Sequence, residues 1–156
     1  FVGPYCFVNY IMQFPLHPAV VHFPIALITA ALIFHTLHLC RPEWINRSIG
    51  LWLLGLSTIF SIVAVLSGQK EIQKAGELGY PTETLLLIER HQTIGNIVVW
   101  GSILLFTGWL FLYLNNQVNN KVHHLAFAFL LLLFIIVIIS GYTGGHLVYI
   151  HGVGTP

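Results

Sequence analysis

Aspartate is missing altogether, and the charged residues that remain make up only 7% of the 156 positions, against roughly 25% in a soluble domain. A chain so poor in charge, and 56% hydrophobic, cannot cover itself with a water-facing surface, so it is expected inside a membrane. There is no basic run and the formal net charge is only +1, which excludes a nucleic-acid groove and a polybasic lipid-binding arm. No CxxCH occurs, and covalent haem attachment of the c type is excluded with it. Neither HExxH nor a pair of carboxylates at catalytic spacing is present, which weakens a hydrolytic metal enzyme. Cysteine is scarce: Cys6 and Cys40 flank the first apolar run, should lie near opposite membrane faces, and are not expected to pair. Phe1 is no initiating methionine and the opening lacks a basic stretch, so the chain is expected to be trimmed rather than headed by a signal peptide.

What is plentiful is histidine, nine residues in a chain without aspartate, so the polar chemistry available inside the apolar part falls largely to imidazole. Four apolar runs are long enough to cross a hydrocarbon core, which takes about 20 helical residues. They cover approximately residues 18–40, 48–68, 83–114 and 122–150. Short connections make the economical fold an all-α, integral membrane, up-down-up-down four-helix bundle forming one domain over 1–156. Residues 1–15 are apolar but too short to cross, and an interfacial segment is expected there. The stretch QKEIQKAGELGYPT, residues 69–82, holds the densest run of charge and reads as a solvated loop, with the first turns of the third helix, TETLLLIERH, emerging beside it.

Sequence position in such a bundle converts to depth. His17, His22, His91, His146 and His151 then fall at the end with the charged stretch, and His35, His38, His123 and His124 at the other. Ionisable groups at membrane depth are costly and mark functional sites by default, and neutral imidazole is the usual axial ligand of a non-covalent haem. His22 and His35 are separated by about 20 Å along a helix, at ~1.5 Å per residue, a spacing suited to two haems stacked across a bilayer. Their azimuths differ by roughly 140° at ~100° per residue, whereas His124 and His146 differ by only about 40°. The leading axial candidates are therefore His22, His91 and His146, with His35 and His124 for a second haem. One stripe on helix three, His91, Gly95, Val98 and Ser102, and one on helix two, Leu54, Ser57, Ser61, Ala64 and Gly68, leave room for a flat ligand, though small residues equally serve close helix packing.

Blander readings stand beside these. His17, just ahead of a first-turn Pro18, suits interfacial anchoring, and His35, His38, His123 and His124 border a headgroup region where a hydrogen-bonded imidazole is ordinary. Glu89 and Arg90 read as an interfacial ion pair; beside a haem, Arg90 would meet a propionate and Glu89 would accept a quinol proton. Gly141, Gly144 and Gly145 are expected to end or loosen the fourth helix, and Tyr142, Tyr149, Trp44, Trp52, Trp100 and Trp109 to serve interface and packing.

The segments LHPAVVHFPIAL, residues 16–27, and GGHLVYIHGVG, residues 144–154, resemble the two ends of the bacterial membrane family catalogued as domain of unknown function 2231, and the resemblance extends over essentially the whole chain. It implies four spans and marks His17, His22, His91 and His151 as family-type positions. Where that family often carries an acidic residue, near His146 and His35, this chain has histidine, which implies ligation beyond whatever the family shares. The family carries no established activity.

Three functions follow as expectations. The first is an electron-transfer subunit, a b-type cytochrome holding one or two haems b inside a larger redox complex, with quinone or a c-type cytochrome as its exchange partner. The second is a membrane site for zinc, copper or iron built on the His cluster with Glu89, and the third a structural or chlorophyll-type pigment-binding subunit. The location expected is the bacterial cytoplasmic membrane. Lys and Arg divide three to three between the two ends, Lys70, Lys74 and Arg90 against Arg41, Arg47 and Lys121, so the positive-inside rule is undecided. Four of the five Glu share the first end, which is accordingly placed in the periplasm.

Overall fold

The computed structural model describes residues 16–154; the expected interfacial segment and Cys6 lie outside the described residues. The elements are α1 (Leu16–Val20), α2 (His22–Cys40), α3 (Ile49–Glu77), α4 (Thr82–Leu114) and α5 (Asn120–Tyr149). No strand occurs among the described residues, as expected where lipid offers no partner for an open backbone and each span must close its own hydrogen bonds. Four stretches are long and apolar enough to cross a membrane: Leu16–Cys40, which joins α1 and α2, and the whole of α3, α4 and α5. Each long helix packs on its sequence neighbours, α5 also closes on α2, and the backbones of the two diagonal pairs nowhere come within 8 Å Cα to Cα, so the bundle is the expected up-down-up-down ring.

The first span is broken rather than continuous. Val21 is a turn residue between α1 and α2, three positions before the buried Pro24. Proline at 24 has no N–H for the carbonyl of Val20 and crowds it, which interrupts the hydrogen-bond ladder, while Val21 keeps α-helical angles (φ −61°, ψ −23°) and bonds back to His17 O at 3.1 Å.

The core follows the inverted logic of a membrane bundle. Ile28, Ala31, Leu51, Leu54, Val98, Trp109, Ala126, Leu130, Leu133 and Val137 pack inside, joined by the small hydroxyls Ser57, Ser61 and Ser102. Ser102 and Thr58 return their protons to carbonyls one turn back, Val98 and Leu54, so burial leaves neither unpaired. Large apolar side chains such as Trp100, Leu104, Phe111 and Ile138 point outward, where lipid accepts them. The two small-residue stripes thus face inward, and Gly95 makes only ordinary contact with Val65, as plain helix packing requires.

At the charged end the structure departs from the expected loop: residues 69–77 continue α3 as helix to Glu77. QKEIQKAGE consists mostly of good helix formers, Lys74 pairs with Glu71 at 3.0 Å, and Ala75 buries with Ile88 and Leu147 in a second apolar cluster. Tyr80 donates to Gly152 O at 3.2 Å, tying the shortened connection to the chain's last turn. The fourth span is likewise uninterrupted by its glycines: α5 runs through Gly141, Gly144 and Gly145 to Tyr149, so they neither end nor break it. Gly152, at φ 64°, turns the chain after α5 instead.

Candidate functional site: two facing imidazoles

At the charged end two histidines come from elements that are diagonal in the ring. His17 belongs to α1 and His91 to α4, and their ring centres stand 6.5 Å apart with planes at 80°. Each ring is held from behind. His17 Nδ1–H donates to Ala64 O on α3 at 2.8 Å, with Ser67 Oγ 3.4 Å away. His91 Nδ1 lies 2.9 Å from Thr143 Oγ1 on α5, and Thr143 gives its only proton to Ser140 O at 3.0 Å. The hydroxyl can therefore only accept from His91.

A carbonyl behind His17 sets its neutral tautomer to Nδ1–H, and a hydroxyl that donates to Ser140 O favours the same tautomer in His91. Nε2 of each is left with its lone pair. An imidazole that donates one ring N–H to a carbonyl or hydroxyl and presents the other nitrogen is the usual form of a metal-ligating histidine. Two glycines make this seating possible: a Cβ on Gly68 would lie 2.9 Å from His17 Cε1, and one on Gly144 3.0 Å from His91 Cε1. The close approach at Gly144 is to a histidine of the same chain.

The other sequence candidates at this end are placed differently. His22 is exposed on the far side of the Val21 turn. His146 and His151 stand together, 5.1 Å between ring centres, with Tyr142 6.3 Å from His146, apart from the facing pair. Glu89 and Arg90 are exposed, form no ion pair among the described residues, and line an open surface concavity with Thr93 and Ile94. Of the three leading axial candidates, only His91 enters a facing pair, and its partner is His17.

The opposite end gathers three imidazoles. His35, His38 and His123 have ring centres 5.0, 5.5 and 6.3 Å apart, and His35 also meets Trp109 edge-on at 4.9 Å. His35 Nε2–H donates to His123 O at 2.9 Å and His38 Nδ1–H to Ile45 O at 3.0 Å. His123 Nδ1 is buried without a hydrogen-bond partner. His124 is exposed and turns back to Asn120 O, so the structure does not bring it to His35. Among the described residues no three His, Cys, Asp or Glu side chains are arranged to hold a metal ion.

Fold and site together define a four-span integral membrane protein whose charged end holds two facing, Nδ1-anchored imidazoles. Residues 13–156 match the family model described as Predicted membrane protein (DUF2231). The chain belongs to that family, domain of unknown function 2231. No curated protein and no solved structure matches it.

Proposed function

We propose that this chain is a haem b-binding electron-transfer subunit of a larger membrane redox complex, with His17 and His91 as the two axial ligands of one haem. The observation that carries the reading is the close pair of imidazoles, 6.5 Å between ring centres, each bonded through Nδ1 to an acceptor on a neighbouring helix. Imidazoles that would share one ion, with metal–nitrogen bonds of about 2 Å, need ring centres no more than roughly 6 Å apart, and 6.5 Å is the separation found. A haem iron asks the protein for just two ligands, whereas a bare zinc, copper or iron site normally takes three or more protein donors. Such a third donor is lacking among the described residues, which favours haem over the bare-ion reading. The donor set therefore fits the group.

Bound there, haem supplies one-electron transfer. The chain's own part is to fix the two imidazoles, to exclude water with the apolar core below them, and to receive partners at the charged end. Glu89 and Arg90, immediately before His91, open to that surface. We assign Arg90 to a propionate and Glu89 to the proton of a quinol, with a c-type cytochrome as the other exchange partner. We place the protein in the bacterial cytoplasmic membrane with the charged end in the periplasm.

The test is optical. Protein taken gently from its native membrane and reduced should show the sharp green band of bis-histidine haem, which His17→Ala and His91→Ala each abolish and His22→Ala keeps. A colourless, iron-free wild type, or full haem in both ligand variants, overturns the reading. Absorption in the red would instead support a chlorin.

A further inference from the structure

The two rings rest on turns built alike. On α3, Ser67 Oγ donates to Ala64 O at 2.9 Å and Gly68 follows directly beneath His17. On α5, Thr143 Oγ1 donates to Ser140 O at 3.0 Å and Gly144 follows directly beneath His91. In each case a small residue offers a carbonyl, a hydroxyl three positions on bonds back to it, and a glycine at the fourth position clears space for an imidazole. The sequences are AVLSG and SGYTG. They lie on α3 and α5, helices whose backbones nowhere come within 8 Å Cα to Cα, so neither turn is shaped by backbone packing on the other.

We propose that these turns are two copies of one imidazole seat, and that Thr143 is the positioning residue that decides which nitrogen His91 presents. The proposal rests on the haem reading for its consequence, and its geometry stands without it.

The seats are alike in form and unequal in chemistry. His17 donates to a backbone carbonyl, which can only accept, so its tautomer is fixed whatever side chain occupies position 67. His91 donates to a hydroxyl, which accepts only because Ser140 O takes its proton. A hydroxyl is able to play either role, so the Thr143 to Ser140 bond holds Nε2 of His91 bare. Take the hydroxyl away and nothing at the seat specifies the tautomer. Outer partners of ligating histidines also raise ligand basicity, and their loss typically costs on the order of 10–100-fold in affinity or activity.

Thr143→Val removes the hydroxyl at nearly constant shape, Thr143→Ser keeps it, Thr143→Ala repeats the loss with a smaller side chain, and Ser67→Ala is the control at the other seat. Nitrogen-15 NMR of histidine-labelled protein before haem loading reads the tautomer, because Nε2 on iron would fix it whatever occupies position 143; reductive titration of the loaded protein reads the potential. Wild type, Thr143→Ser and Ser67→Ala should show His91 as a single Nδ1–H form. The Val and Ala variants should lose that signature, and their midpoint potential should rise, since a less basic ligand stabilises the oxidised iron less. An unchanged tautomer and potential in both variants overturns the seat even if haem is bound. A changed tautomer in protein that never holds haem leaves the seat standing and overturns the electron-transfer reading.

Discussion

The ring of His17 stands edge-on to that of His91 across the diagonal of the bundle, 6.5 Å between centres, though α1 and α4 share no helix interface of their own. What brings them together is the third layer behind each ring, α3 behind His17 and α5 behind His91. Backbone spacing at Gly68 and Gly144 is thereby part of the site.

A methyl group at either glycine should be felt. Gly68→Ala and Gly144→Ala place a Cβ at 2.9 and 3.0 Å from ring carbons, inside contact distance, and should destabilise by about 1–3 kcal/mol as overpacked positions do. Cofactor content should fall with them. Gly145 and Gly76 have no atom within 4 Å of a Cβ position, so alanine there should be neutral or stabilise by up to about 1 kcal/mol. Thermal melting of the four variants in one detergent checks the contrast. Equal melting temperatures would remove the close-approach argument.

The three-imidazole cluster at the other end predicts opposite outcomes for neighbouring residues. His35 is 1% exposed, bridges α2 to α5 through His123 O and packs on Trp109. His35→Ala should cost about 2–4 kcal/mol through cavity and lost hydrogen bond. His123 is 8% exposed, and its Nδ1 has no partner to lose. His123→Phe keeps the backbone carbonyl that His35 uses and should be neutral or stabilising, because a buried unsatisfied polar atom is a cost in the native state. Ser61→Ala should behave in the same way, its Oγ being likewise buried and unpaired. Chemical unfolding in micelles measures all three. A large loss in His123→Phe would mean that the nitrogen has a partner worth keeping.

Depth along the membrane was legible in the chain and azimuth was not. Uninterrupted apolar runs mark spans because lipid leaves a helix no alternative, and His17 and His91 sort correctly to one end by counting residues. Which imidazole comes near which depends on angle, and in a first span with prolines at 18 and 24 residue counting alone does not give it. The continuation of α3 past Gly68 was hidden for another reason. QKEIQKAGE is polar nearly all round, and the contacts that keep it helical reach Ile88 and Leu147, far away in sequence. The seats, by contrast, are written locally: AVLSG and SGYTG share a small residue, a hydroxyl three on and a glycine four on. Reading Gly68 as one of a small-residue stripe and Gly144 as a helix breaker misses the hydroxyl beside each.

Orientation can be decided through Cys40. This thiol is free and exposed at the end of α2, the end that carries Arg41, Arg47, Lys121 and Glu43 for a net of +2. Lys70, Lys74, Arg90 and four Glu give the other end −1, and together these make the chain's +1. The bare tally of Lys and Arg is even, but the residues are not equally free. Lys74 is engaged by Glu71, whereas the guanidinium groups of Arg41 and Arg47 lie 5.7 Å over the rings of Trp44 and Tyr113. Cation–π contacts of this kind hold both charges beside aromatic side chains suited to the headgroup level, where a negative cytoplasmic leaflet attracts them. Cys40 should then face the cytoplasm. In a Cys6→Ser background a membrane-impermeant maleimide should leave Cys40 unmodified in intact cells and label it in inverted vesicles. Labelling in intact cells would reverse the orientation, carrying the His17 and His91 end, and any partner that docks beside Glu89, to the cytoplasmic side.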